Sequence, residues 1–242
     1  MHPPNDLTEL AELGPFFALD RHSPDTAPAE PWRSMADLVD GDALTVRIAA
    51  VRTALAAAGG LSPESIEPRV AASIAHLGLV ARLISPVLGL AVLTGGVPEV
   101  QLRHIRWQPV LGGPFPLSLP VDAIPPRRSI DPIDIAATIS RRVLAGPVAA
   151  LVEATRQRSV SVHIVWGNVA SAVNGASTMI AAARPALAAD ARVIADRLLA
   201  TPPLRGTATS GPDGFRRRSC CLIYRVAPNA NGPVCGDCVL TR

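Results

Sequence analysis

Residues 62–97 read SPESIEPRVAASIAHLGLVARLISPVLGLAVLTGGV, and the fold class turns on this stretch. Val70, Ile74, Leu77, Ala81, Ile84 and Leu88 recur at the spacing of one helix face, which predicts a long helix. Ser62 is placed to cap it, Pro63 suits its first turn, and Pro86 predicts a bend. Immediately upstream, Ser34 to Ala58 predicts another helix, with Met35, Leu38 and Val39 early, Val46, Ile48, Val51 and Leu55 later, and Gly59-Gly60 to close it. Farther out, Leu7 to Leu19 is a short apolar opening, and Ser23 to Pro31, rich in Pro, Ala and acids, predicts a surface connection.

Downstream the period changes. Ile105 and Trp107 alternate with Arg106 and Gln108, Gly112-Gly113-Pro114 makes a turn, and Phe115 to Leu119 runs back, so Val100 to Pro120 predicts a small β-hairpin. Pro125-Pro126-Arg127-Arg128 separates it from a helix at Asp131 to Arg156, interrupted at Gly146-Pro147. Helices at Val160 to Ala183 and Pro185 to Ala200 follow. Thr201 to Gly214, with three prolines and three glycines, predicts a linker. The expected protein is mainly α: a helical body over 1–200 with one small hairpin, a linker over 201–214, and a cysteine-rich segment over 215–242 packed on that body.

Composition narrows the function. The chain has 242 residues, every one of its 23 basic residues is arginine, and aromatic residues make up 3%, so the core must be built from Ala, Val, Leu and Ile. The net charge of +3 hides an asymmetry, because residues 1–64 carry ten acids against four arginines and the remainder ten against nineteen. No aromatic residue is interleaved with a basic run, which argues against a nucleic-acid partner. Residues 1–12 have no basic start and no apolar run, so the expectation is a cytoplasmic protein. Leu83 to Val97 is too short to span a membrane and contains Pro86, while Ile164 to Ala183 carries Asn168, Ser171, Asn174, Ser177 and Thr178. Both predict buried helices.

The first 219 residues hold no cysteine and the next nineteen hold four, spaced Cys-Cys-x13-Cys-x2-Cys at Cys220, Cys221, Cys235 and Cys238. Such clustering implies a shared ligand. Disulfides suit neither a reducing compartment nor adjacent cysteines, which pair only in a strained ring. Structural zinc also takes four thiolates and a Cys-x2-Cys turn, but generally uses two such turns. Adjacent sulfurs in an extended segment point to opposite sides and fit two neighbouring irons more easily, which favours a [2Fe-2S] cluster over zinc. The sequence shows no Ser-His-Asp constellation, no Gly-x-Gly-x-x-Gly after a strand and no phosphate-binding loop of the Walker type.

Phe215-Arg216-Arg217-Arg218-Ser219-Cys220-Cys221-Leu222-Ile223-Tyr224-Arg225, followed by Cys235-Gly236-Asp237-Cys238, closely resembles the C-terminal motif of the FhuF family of ferric-siderophore reductases. Arg69 to Leu79, Trp107 to Pro109 with Leu111 to Pro114, and Trp166 to Ala172 look like that family's other signature stretches. The family commonly has about ten residues between its second and third cysteines. This chain has thirteen, Leu222 to Val234, a lengthening that costs on the order of 0.2 kcal/mol in closure entropy. The resemblance implies a [2Fe-2S] protein that passes single electrons to a ferric siderophore. It also implies an external electron donor such as a ferredoxin or reductase, and peripheral contact with an uptake transporter. Two other readings remain: a zinc-stabilised protein that binds the siderophore without redox activity, and an electron carrier for another redox partner.

Substrate contacts are expected at Trp166, Asn168, Arg216, Arg217 and Arg225, with Arg218 in the same basic run. His76 and His163 read more readily as hydrogen-bonded structural histidines. Asn168, Ser171, Asn174 and Thr178 form one polar stripe on an apolar helix, suited to fixing helix packing or to lining a cleft.

Overall fold

A computed structural model describes residues 6–211, 214–227 and 232–240. Its helices are α1 (Asp6–Glu12), α2 (Asp37–Asp40), α3 (Ala43–Ala58), α4 (Pro68–Thr94), α5 (Pro132–Ile139), α6 (Ala149–Arg156), α7 (Val162–Ala183) and α8 (Ala188–Ala200). The helix at 62–97 is the axis of the molecule. Residues on every side of α4 are buried, from Val70 to Thr94, because α7, α3, α1 and α6 pack around it. A helix apolar all round can only lie inside. By length and composition α4 and the span Pro132–Arg156 are both apolar enough to cross a membrane, yet 72% of the apolar window of α4 is buried within the fold.

Several boundaries differ from the sequence reading. Ser62 makes no side-chain cap, and Pro63–Ser65 forms a separate single turn, so α4 starts at Pro68 and runs on through Pro86. The expected helix over 34–58 is split at Gly41 into α2 and α3, and Ser34 is in a strand. The interruption at Gly146-Pro147 is present: Gly146 leaves helical φ/ψ within a wide-turn segment, Ser140–Val148, between α5 and α6. Gly95 ends α4 at φ 70°, where a Cβ would strike the Arg128 carbonyl.

The hairpin is β3 (Arg106–Trp107) with β4 (Leu117–Pro120), and it gains two partners that the sequence did not show. β1 (Asp20–His22) runs parallel to β4, and β2 (Arg33–Ser34) antiparallel to β3, giving the order β1-β4-β3-β2. Arg82 fastens this sheet to the core. Its guanidinium, buried in mid-α4, donates to the carbonyls of Phe115 (2.8 Å), Phe16 (2.9 Å) and Ala18. Burial pulls its pKa down to about 10, so it remains a cation at neutral pH.

Candidate metal centre

The span expected as a free linker is part of the fold. Leu204 is fully buried, and β5 (Ala208–Gly211) pairs antiparallel with β6 (Gly214–Arg217), Ala208 opposite Arg217. Cys220 and Cys221 follow this hairpin within a few residues, and Cys235 to Cys238 form a tight turn closed by the Cys238 N–H on the Cys235 carbonyl at 3.0 Å. The Arg217 N–H donates to the Asp237 carbonyl at 3.1 Å and brings the two pairs of cysteines together. The surplus residues of the intervening loop fall partly on 228–231, outside the described residues.

The segment is docked on α4 and α7 by side chains from both. Ser73 Oγ on α4 donates to the Cys221 carbonyl at 2.9 Å, and Ser171 Oγ on α7 to Asp237 Oδ2. In return Ser219 Oγ donates to the His163 carbonyl at 2.7 Å and Arg217 Nη2 to the Ile164 carbonyl at 3.2 Å. Gly167 makes the approach possible, because a Cβ there would land on Ser219 Oγ and press on the Arg217 guanidinium. Leu222 and Val226 pack on Ala56, Ile66 and Val70. Arg225 Nε donates to Glu67 Oε1 at 2.6 Å, and Arg69, then Arg225, hold the Glu67 carboxyl below its usual range.

Cys221 and Cys238 are buried, Cys220 and Cys235 half-buried. Cys235 Sγ hydrogen-bonds to Cys221 Sγ, and that bond is the main reason the Cys221 thiol is pulled down to about 6; the Ile223 N–H and Arg217 add to it. The same bond, then burial, pushes the Cys235 thiol up. The backbone N–H groups of Leu222 and Leu240 donate to Cys220 Sγ (3.2 Å) and Cys238 Sγ (3.3 Å), an arrangement that stabilises negative sulfur.

Among the described residues no three His, Cys, Asp or Glu side chains form a ready-made cage for one ion. The decisive neighbour is Arg217, 1% exposed, with Nε and Nη1 unpartnered among the described residues. Burial lowers its pKa, opposed by Cys221, Cys235, Asp237 and Cys220 in that order. A buried, permanently charged group with two idle donors is costly unless an anion faces it. Four thiolates holding a cluster meet that need, and the residues fit a [2Fe-2S] group.

The residues singled out for substrate divide between surface and interior. Trp166 is half-buried on the wall of a cavity of about 400 Å³ that also touches Arg218 and Ser219. Asn168 is fully buried, a correction to its expected substrate contact: Nδ2 donates to the Ser73 carbonyl at 3.0 Å and lies 3.3 Å from His76 Nδ1, so it ties α7 to α4. Arg217 is likewise turned inward, because the notch at Gly167 admits its guanidinium. Arg216 is half-buried in β6, and Arg225 is engaged with Glu67. His76 is buried and His163 exposed. Ser73, Glu67 and Gly167 were not expected at the site, and Ser171 only as part of the polar stripe on its helix. Ser73, Gly167 and Ser171 lie within the stretches that resembled the family.

A helical body with a docked four-thiol segment has the form of a metal-binding protein. Residues 217–240 match the FhuF 2Fe-2S C-terminal domain, so this segment is a FhuF-type [2Fe-2S] domain. No curated protein matches the chain.

Proposed function

We propose that this protein is a cytoplasmic ferric-siderophore reductase, in which Cys220, Cys221, Cys235 and Cys238 ligate the cluster. It takes single electrons from an external donor such as a ferredoxin or reductase and passes them to siderophore-bound Fe(III), with release of Fe(II). The observation that carries this reading is the match of residues 217–240 to the FhuF 2Fe-2S domain, on a segment packed against the body. A [2Fe-2S] cluster supplies one electron at a time at low potential.

The chain's residues have three tasks. The half-buried side of the segment, with Cys220 and Cys235, leaves a short path to a bound chelate, while Cys221 and Cys238 are shielded from water. Leu222 and Leu240 N–H groups and the Arg217 cation offset negative charge on the sulfurs. The polar contacts to α4 and α7 hold that geometry while charge changes. No acid, base or nucleophile is required, because hard oxygen donors hold Fe(III) far better than Fe(II) and the metal leaves once reduced. Anaerobically purified protein is expected to be red-brown with about two irons per chain, and, once reduced, to yield Fe(II) from a ferric siderophore in the presence of a ferrous trap. A colourless preparation holding about one zinc would remove the reading.

A further inference from the structure

We propose that the cavity beside the cluster segment is the docking site for an anionic, catecholate-type ferric chelate. The cavity, about 400 Å³, lies where three stretches meet: the first turn of α7, the turn before β5, and the residues leading into Cys220. Trp166 and His163 come from the first, Arg205 and Thr207 from the second, Arg218 and Ser219 from the third. Among the described residues no Asp or Glu lines it. Arg205 and Arg218 are exposed, and neither guanidinium meets an acceptor among the described residues. Two arginines lining one space favour oxyanions and disfavour cations. The half-buried Trp166 ring adds an aromatic wall on which a flat ring can stack. An aromatic, oxygen-rich anion answers both features, and the volume suits one lobe of a chelate. Ser219 forms part of the wall and is next to Cys220, so a ligand seated there is within a residue of the thiols.

The ligand class rests on the reductase reading, whereas the site does not, and redox-inert gallium separates the two. Calorimetry on the full-length holoprotein would compare gallium(III) tris-catecholate, a trianion, with the gallium(III) complex of a linear trihydroxamate bearing a free terminal amine, a monocation at neutral pH. The trianion is expected to bind at least about tenfold tighter, and the Arg205→Ala/Arg218→Ala double variant to lose about tenfold of that affinity. Trp166→Ala should weaken the trianion and leave the trihydroxamate unaffected. Iron content and visible spectrum of each variant, matched to wild type, establish that the cluster segment is intact. Equal affinity for the two complexes, or undiminished trianion binding by the double variant, would overturn the proposal. If gallium tris-catecholate binds as expected but no ferric chelate is reduced, the pocket stands and the reductase reading falls.

Discussion

Arg217 is the residue on which the electrostatics of the site turn, since its charge is buried and two of its donors have no partner among the described residues. A nearby cation stabilises the reduced cluster, which is more negative, over the oxidised one. Arg217→Met is therefore expected to lower the midpoint potential by on the order of tens of millivolts, with Arg217→Lys in between. Spectroelectrochemical titration of variants with full iron content would show this, and identical potentials would remove the role. His76 makes a second, purely energetic prediction. Burial, with Arg217 adding, pushes its pKa from 6.5 down to about 3. Between those values the unfolded chain binds a proton that the native state does not. Stability is thus full above pH 6.5 and falls as pH drops toward 3, by at most about 1.4 kcal/mol per unit from this group. Urea melts of His76→Gln should show a shallower acid slope than wild type, and parallel slopes would contradict the assignment.

At the scale of elements the seam between α4 and α7 decides where the cluster segment sits. Asn168→Ala leaves Ser73 and His76 without their buried partner and should cost about 1–3 kcal/mol in a denaturant melt. A change below about 0.5 kcal/mol would mean that the seam is held by apolar packing alone. The long helices were legible in the sequence because apolar spacing persists over many turns, as from Val70 to Leu88. β1 and β2 were not, because three and two residues display no period and are strands only through pairing with β4 and β3. Gly41 broke one expected helix where hydrophobic spacing alone bridged the gap. In the site, the four cysteines were legible through clustering. Ser73 was not, for its partner Cys221 lies 148 residues along the chain. Asn168 was visible as part of a polar stripe, but which face of α7 met α4 depended on packing.

For the whole molecule, the body has its own core and no cysteine, whereas the cluster segment adds contacts from outside. Cys221→Ser is expected to shift or bleach the visible spectrum while helical circular dichroism persists. A wild-type spectrum in that variant would remove Cys221 from the ligand set. Anaerobic iron removal should loosen the segment, because Arg217 then lacks its anion, and trypsin should cut at Arg216 and Arg218 faster than in the holoprotein. Equal cutting rates would show that docking does not depend on the cluster. The two anchors on the first turn of α7 also act on time. The carbonyls of His163 and Ile164, acceptors for Ser219 and Arg217, stand one helical turn below the amides of Gly167 and Asn168. While the segment is seated that turn cannot fray, and those two amides should trade hydrogen for deuterium slowly; when it lifts, their exchange should quicken. Two backbone protons in a helix thus become a clock for undocking, readable over minutes to hours without reference to colour or turnover.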